Sequence, residues 1–299
     1  MTNSLSINGG GIRGIIPCSV LAALEQQTGK LTRELFAYVS GTSTGALLAA
    51  GVAAGIPASQ LLTVYTTESQ KVFTPTGVIA DAKRVAEGYM YNPQNLEKVL
   101  VSVFGQAASW TMNDSPIGIC IPATAMNGHD WYFVRDGAKN ARTTGGVKLI
   151  DASVASACAP TYFSAWPIAI GGRQLAFFDG GTGGLANPSY QACVEMFVYD
   201  GFSPAETRLV SLGTGFYPAA NTAPKGLVAT IGWATDTLVD SSEDWVDKAV
   251  ERQWPGVARK FDWELPSNIE MDDLAAIATL VSVGKTAAQS IDWSQVLGV

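Results

Sequence analysis

The chain has 299 residues, of which 47% are hydrophobic and 15% are charged, and its net charge is −7. An average protein has about 25% charged residues, so this chain can bury a large core and still keep apolar surface for a hydrophobic substrate. The acidic balance and the lack of basic clusters argue against nucleic acid as a partner and against tight attachment to anionic membranes. Contact with a membrane surface would therefore be transient and made by apolar side chains.

The length is compatible with two domains, but no linker, repeat or low-complexity segment divides the chain. Residues 1–299 are therefore predicted to form a single domain. Strand patterns recur, mostly with helical stretches between them, at residues 4–8, 36–40, 116–125, 131–135, 174–178 and 207–212. This alternation predicts an α/β fold with a mixed or mainly parallel sheet and helices on both faces.

A glycine-rich segment follows the first predicted strand. Leu5–Asn8 has the strand pattern, Gly9–Gly14 (GGGIRG) is a turn, and helical periodicity begins at Ile16. Such a turn presents free backbone N–H groups to a negative ligand. One interpretation is a dinucleotide-binding loop, although the acidic residue expected about twenty positions later would be Glu25 or Glu34, and neither clearly ends a second strand. The other is an oxyanion hole for an acyl ester.

The second motif is a G-x-S-x-G sequence centred on Ser43. This spacing is typical of a nucleophile elbow, a sharp strand-to-helix turn that exposes the serine hydroxyl. Gly41 and Gly45 allow the strand and the helix to approach without a Cβ clash, and the flanking segments Phe36–Ser40 and Ala46–Ala54 have the required strand and helix patterns. The motif predicts a serine hydrolase. Its position soon after the glycine-rich turn favours the oxyanion interpretation of that turn.

A serine nucleophile is activated by a general base. A Ser-His-Asp triad needs a histidine, and the chain has one, His129. It lies in the turn-like cluster Asn127–Asp130 between two predicted strands, where a histidine is usually a solvated surface residue. A third motif, Asp179-Gly180-Gly181, follows the apolar segment Leu175–Phe178. A carboxylate at the tip of such a strand, followed by glycines, is held in a defined direction by the turn. Asp-Gly-Gly alone is a common turn, and it indicates a functional carboxylate only together with the other two motifs.

In this order the three motifs resemble those of the patatin-like phospholipase family. Further segments similar to that family are Ala159–Phe163, Asn187-Pro188, Val210–Gly215 and Met271–Asp273. The resemblance runs from about Ser4 to Gly284. One departure is Asn8, where many members carry Asp, and its short amide can still hold the turn. The resemblance implies a three-layer α/β/α patatin-like fold with a central, mainly parallel mixed sheet.

The resemblance also implies a lipid acyl hydrolase with a catalytic dyad and no catalytic histidine. Ser43 would be the nucleophile and Asp179 the general base, acting through an acyl-enzyme intermediate. The backbone N–H groups of Gly10, Gly11 and Ile12 would form the oxyanion hole. Residues that would support these motifs are Gly9, Arg13, Gly14, Gly41, Gly45, Gly180 and Gly181. For Arg13 a structural role in the glycine loop is favoured over countering a lipid phosphate.

The expected substrate is a lipid ester, namely a phospholipid, galactolipid or acylglycerol. A carboxylesterase or acyltransferase acting on small soluble esters with the same dyad is one alternative. A nucleotide-binding protein that uses Gly9–Gly14 is another. A free Asp, with a pKa near 3.9, is a weak base, so the dyad requires burial of Asp179 among apolar neighbours such as Phe177 and Phe178, which raises that pKa.

The remaining segments give weaker signals. Residues 72–110 form either a lid or acyl-binding wall, or ordinary core helices. Asp236–Trp254 has the pattern of an amphipathic surface helix, and Asp272 is predicted to cap a closing helix. No clustered His and Cys residues indicate a metal or cofactor, and no signal pattern precedes Leu5. A cytoplasmic protein with peripheral membrane contact is therefore expected, and its widely spaced cysteines are expected to be buried thiols.

Overall fold

The computed structural model describes residues 1–74, 88–137, 144–218, 224–225 and 227–298, with the side chains of residues 227–236 left aside. The strands are β1 (Thr2–Ile7), β2 (Tyr38–Gly41), β3 (Tyr89–Tyr91), β4 (Gly118–Ala125), β5 (Asp130–Val134), β6 (Thr161–Phe163), β7 (Trp166–Ile170), β8 (Arg173–Asp179), β9 (Thr207–Leu212) and β10 (Ala258–Phe261). The main sheet has the order β10-β9-β1-β2-β4-β8-β7, and β5 also pairs with β4. Strands β10 to β4 in that order are parallel, whereas β8, β7 and β5 join antiparallel.

Helices connect and cover these strands. They are α1 (Ile15–Thr28), α2 (Thr32–Leu35), α3 (Thr44–Ala54), α4 (Ala58–Thr66), α5 (Ser69–Val72), α6 (Pro93–Phe104), α7 (Leu149–Ala157), α8 (Ser189–Val194), α9 (Leu227–Gln253), α10 (Ile277–Gln289) and α11 (Trp293–Leu297). Helix α3 is apolar on all sides and buried from its first residue to Ala53. A helix of that composition belongs in the interior, so its first turn is held rigidly against the sheet.

Two hydrophobic cores lie on opposite faces of the sheet. Successive strand side chains point to opposite faces, and accordingly Val39 packs in the core with α1, α3 and α7, whereas its neighbour Tyr38 packs with α8 and α9. Val210 and Leu209 divide in the same way. Helices therefore cover both faces, and the predicted three-layer α/β/α fold with a mainly parallel mixed sheet is confirmed. That residues 1–299 form one domain stays a prediction.

The six predicted strands are present as β1, β2, β4, β5, β8 and β9. The sequence patterns missed β7 and β10, which lie at the two edges of the main sheet. Pro167 in β7 and the charged pair Arg259 and Lys260 in β10 break the apolar signal, because edge strands tolerate proline and charge. Strands β3 and β6 form a separate two-stranded sheet and are only three residues long.

The C-terminal third contains the predicted amphipathic helix, as α9, but one predicted cap is wrong. Asp273, not Asp272, precedes the turn that leads into α10, and its Oδ1 accepts a hydrogen bond from the N–H of Ala275 at 3.0 Å. The helical turn begins one residue later than a cap at Asp272 requires. Asp272 instead accepts a hydrogen bond from the Tyr91 hydroxyl at 2.7 Å, which ties this segment to β3.

The four cysteines are buried and free of disulfides, as expected. Within the described ranges, no helix is both long and apolar enough to cross a membrane. Over the same residues, no group of three or more His, Cys, Asp or Glu side chains is arranged to hold a metal ion.

Candidate active site

Ser43 lies in the sharp turn between β2 and α3. Its backbone has φ 56° and ψ −123°, a strained conformation that a non-glycine residue adopts only when its surroundings enforce it. A Cβ on Gly41 would lie 2.0 Å from the Gly45 carbonyl oxygen, and a Cβ on Gly45 would lie 2.2 Å from that of Ile7. Both glycines are therefore required for close packing, and the turn has the geometry of a nucleophile elbow.

Two hydroxyl side chains connect this turn to other parts of the chain by hydrogen bonds. The N–H of Ser43 donates to Ser156 Oγ at 3.0 Å, and Ser156 Oγ donates to the Pro122 carbonyl at 2.6 Å. Thr42 Oγ1 donates to the carbonyl of Leu185 at 2.6 Å. Ser156 was not identified from the sequence, because a serine inside an apolar helix gives no signal of a partner more than a hundred residues away.

Asp179 is at the end of β8, and its carboxyl lies near enough to the hydroxyl of Ser43 for that hydroxyl to lower its pKa. Its Oδ1 also accepts from the N–H of Gly181 at 2.7 Å, and only 6% of the residue is exposed. Burial raises the pKa of Asp179 from 3.8 to about 6, and the Ser43 hydroxyl and the Gly181 N–H oppose that rise. A Cβ on Gly180 would lie 2.8 Å from the Pro122 carbonyl, so the Asp-Gly-Gly turn also depends on its glycines. The two side chains expected to form a dyad are therefore in contact.

The glycine loop approaches Ser43 closely. A Cβ on Gly9 would be 3.2 Å from the Cβ of Ser43, and one on Gly14 would be 2.1 Å from Thr44 Oγ1. Gly10 and Gly11 have φ values of 153° and 59°, which disfavour any residue with a side chain. Strand β1 thus delivers the loop directly beside the nucleophile elbow.

Two side chains set the direction of the peptide groups in this loop. Thr214 Oγ1 donates to the Gly9 carbonyl at 2.7 Å, and Arg13 Nε donates to the Gly10 carbonyl at 3.3 Å. Because C=O and N–H point in opposite directions across a planar trans peptide, the N–H groups of Gly10 and Gly11 face away from Thr214 and Arg13. Within the described part of the chain, neither N–H has an acceptor. The hydrogen bond from Arg13 to the Gly10 carbonyl is the kind of contact that a structural role of Arg13 in the glycine loop requires.

The third predicted oxyanion donor is occupied. The N–H of Ile12 donates to the Met271 carbonyl at 2.8 Å, and a Cβ on Gly11 would lie 2.4 Å from the same oxygen. Ile12 therefore does not present its N–H to a substrate in this conformation, which corrects the sequence prediction on this point. Met271 belongs to the segment before α10, so the local glycine motif gave no sign of it.

An apolar pocket opens beside Ser43. It is lined mainly by residues of α3, α4, α5, α6 and β6. Of the segment 72–110, Val72, Phe73 and Leu96 line this pocket. Leu100 is packed in the core instead. The acyl-wall interpretation thus fits some of that segment and the core interpretation fits the rest, while residues 75–87 lie outside the described residues.

His129 is on the exposed turn between β4 and β5. Its N–H donates to Asn127 Oδ1 at 3.2 Å, and its carbonyl accepts from Ala125 at 2.9 Å. Ser43 and Asp179, in contrast, are buried. The position agrees with a solvated turn residue.

Known proteins that resemble this chain identify its family. A family model described as Patatin-like phospholipase matches residues 5–189. A cGAMP-activated phospholipase of Escherichia coli strain TW11681 is 31% identical over 201 residues, which cover 64% of this chain and 55% of that protein. Calcium-independent phospholipase A2-gamma of Rattus norvegicus is 31% identical over 225 residues, which cover 71% of this chain and 28% of that protein.

The chain spans about half the length, or less, of these two relatives. Among solved structures, VipD from Legionella pneumophila aligns with 99% of this chain and 66% of that chain, at 14% identity and a TM-score of 0.48. That likeness is too distant to bear on function. The family model, however, covers more than half of the sequence and includes the glycine loop, the elbow and Asp179. The chain belongs to the patatin-like phospholipase family.

Proposed function

We propose that this chain is a lipid acyl hydrolase of the phospholipase A or lipase type, with Ser43 as the nucleophile and Asp179 as the general base. The close approach of these two buried groups, at the nucleophile elbow and at the end of β8, is the observation that carries the proposal. A general base works best when its pKa lies near the operating pH, and burial brings Asp179 from 3.8 to about 6. No histidine is needed for this chemistry.

The reaction would proceed in two steps. Asp179 takes the proton from Ser43 Oγ as that oxygen attacks the ester carbonyl, and the protonated carboxyl then donates it to the departing alcohol. This leaves the acyl group on Ser43 as an ester. A water molecule, deprotonated by the same carboxylate, attacks this ester and releases the fatty acid. The proton returns to Ser43, and the dyad is restored.

The negative oxygen formed at each attack needs preorganised donors. The N–H groups of Gly10 and Gly11 are proposed to serve, since both are without an acceptor in the described structure. Removing one such donor typically costs about 2.7–4 kcal/mol of transition-state stabilisation. Ile12 would join them only after its bond to the Met271 carbonyl opens.

The pocket beside Ser43 supports an acyl chain as the part of the substrate that is bound. Its walls include Leu47, Val64 and Leu96, and each methylene buried there contributes about 0.8 kcal/mol. Esters of long fatty acids should therefore be preferred over short soluble esters, which favours phospholipids, galactolipids or acylglycerols. Contact with the membrane would be transient.

The deciding experiment is fatty-acid release from mixed phospholipid vesicles by the wild type and Ser43→Ala, with a short soluble ester measured in parallel. Because relatives of this chain are named as cGAMP-activated phospholipases, each reaction is run with and without cGAMP. Release by the wild type alone would support the proposal, and release only with cGAMP would add an activator to it. Turnover confined to the soluble ester would favour the small-ester alternative.

His129→Ala is the matched control. It removes the exposed imidazole and should leave the rate of release within about twofold of the wild type, since effects of surface substitutions are usually small. A collapse of activity in this variant would overturn the assignment of Asp179 as the base.

A further inference from the structure

A group of charged side chains adjoins the glycine loop. Glu243 on α9 lies close enough to Arg13, Lys260 and Asp262 for the charge of each to influence its titration. Asp247, one turn further along α9, places its Oδ2 3.8 Å from Lys260 Nζ. Three carboxyl groups thus share two cations. We refer to these five residues as the Glu243 cluster.

Asn8 connects this cluster to the loop. It is fully buried and immediately precedes Gly9, and its Nδ2 donates to Glu243 Oε2 at 2.8 Å. The N–H of Asn8 is held separately by the Leu212 carbonyl at 3.0 Å. Helix α9 therefore contacts Asn8, the residue that immediately precedes the glycine loop.

Arg13 connects the cluster to the other end of the loop. Its Nε donates to the Gly10 carbonyl, the contact that turns the Gly11 N–H toward the opposite side of the peptide. Arg13 is also near enough to Glu243 for the two opposite charges to attract each other. The same carboxylate thus bears on both Asn8 and Arg13.

We propose that Glu243 is a positioning residue for the oxyanion loop: its carboxylate accepts the Asn8 hydrogen bond and attracts Arg13, and through these two residues it sets the orientation of the Gly10–Gly11 peptide. This inference rests on the proposed function, since it gives that peptide a role in stabilising the oxyanion. Glu243 does not touch the reacting atoms.

The burial of the cluster determines when Glu243 carries its charge. Burial raises its pKa to about 7, and Asp262 acts in the same direction, whereas Lys260, the Asn8 hydrogen bond and Arg13 oppose the rise. Burial also raises the pKa of Asp262, while Lys260 and the N–H groups of Trp263 and Gly215 oppose that rise. Glu243 is therefore mostly ionised at pH 8 and mostly neutral below pH 6.

The test uses a fluorophosphonate serine-hydrolase probe, because its reaction with Ser43 needs the oxyanion donors but no particular lipid. Glu243→Gln keeps an acceptor for Asn8 and removes the negative charge that attracts Arg13. We expect its labelling rate at pH 8 to fall about tenfold, less than the 10²–10³-fold loss that follows removal of a donor. Glu251→Gln, an exposed position on the same helix, is the matched control and should label as the wild type does.

The pH dependence separates positioning from a general structural defect. Labelling of every variant should rise as Asp179 ionises. The ratio of wild-type to Glu243→Gln rates, however, should shrink from about tenfold at pH 8 toward one at pH 5.5, where the wild-type glutamate is itself protonated. A ratio that stays constant across this range would refute the proposal.

A charge exchange provides a second, independent readout. Asn8→Asp alone sets two carboxylates at the 2.8 Å contact and should lower the labelling rate at least as much as Glu243→Gln. The double variant restores one carboxylate and one amide to that contact, so its rate should recover to within about threefold of the wild type, because neighbours in contact do not behave additively. A double variant worse than either single one would overturn the inference. Failure of the wild type to label at all would instead count against the proposed function.

Discussion

The substitution Asp179→Asn should abolish activity and, at the same time, stabilise the protein in a pH-dependent way. The folded state raises the pKa of this carboxyl from 3.8 to about 6, so folding favours its protonated form. A group of this kind stabilises the protein below pH 3.8, and its contribution is lost as the pH rises through about 6. The whole difference corresponds to about 3 kcal/mol.

Asparagine keeps the shape of this side chain without the buried charge. Its amide oxygen can still accept from Gly181 and its amide nitrogen can donate to Ser43. The variant should therefore be more stable than the wild type at pH 8, and the gap in the free energy of unfolding should shrink by about 1.4 kcal/mol between pH 8 and pH 5. Turnover should fall by about four orders of magnitude, the loss that follows when the aspartate of a Ser-His-Asp triad is replaced by asparagine.

Urea denaturation at pH 5, 6, 7 and 8 measures the first effect, and fatty-acid release measures the second. Asp244→Asn, which removes an exposed carboxylate on α9, is the control for a general effect of lost charge. A gap between Asp179→Asn and the wild type that does not change with pH would refute the argument that burial sets the pKa of Asp179. Retained turnover would refute its role as the base.

Three further substitutions test the loop and the pocket. Gly11→Ala should lose activity and should lose more stability than the control Gly29→Ala, which thermal melts of the two variants would show. Both glycines have a positive φ, but only a Cβ at Gly11 would lie 2.4 Å from the Met271 carbonyl. Thr214→Val removes the donor to the Gly9 carbonyl and should lower kcat about tenfold with KM nearly unchanged, whereas Thr214→Ser should restore it; steady-state kinetics on vesicles measures this. Val72→Trp fills the pocket and should reduce release of long-chain fatty acids while sparing a short ester, so equal losses on both substrates would contradict the acyl-pocket assignment.

The sequence predicted the parts of the site that depend on local steric rules. Gly41 and Gly45 flank a serine because the turn leaves no room for a Cβ, and this requirement is visible in the sequence as a G-x-S-x-G motif. Asp179 was visible for a similar reason, since a carboxylate between an apolar strand and two glycines is an unusual arrangement. Motifs of this kind carry their physical cause within a few residues.

Contacts between distant segments could not be predicted in the same way. Thr214 holds the Gly9 carbonyl across 205 positions of sequence, and the bond from Ile12 to the Met271 carbonyl spans a still longer separation. Nothing near the glycine loop distinguishes an N–H that faces a substrate from one that is already bonded. The predicted set of three oxyanion donors therefore included one, Ile12, that another part of the fold occupies.

Ser43 and Asp179 lie next to each other because of the register in which strands β2, β4 and β8 pair. Ser40 pairs with Cys120 across β2 and β4, and Ala123 pairs with Asp179 across β4 and β8. Ser43 is three residues after Ser40, and Ala123 is three residues after Cys120. The two pairings therefore bring Asp179 to the level of Ser43. Because a slip of one residue turns every side chain to the other face, the antiparallel register of β8 is as necessary to the dyad as the two motifs that supply its residues.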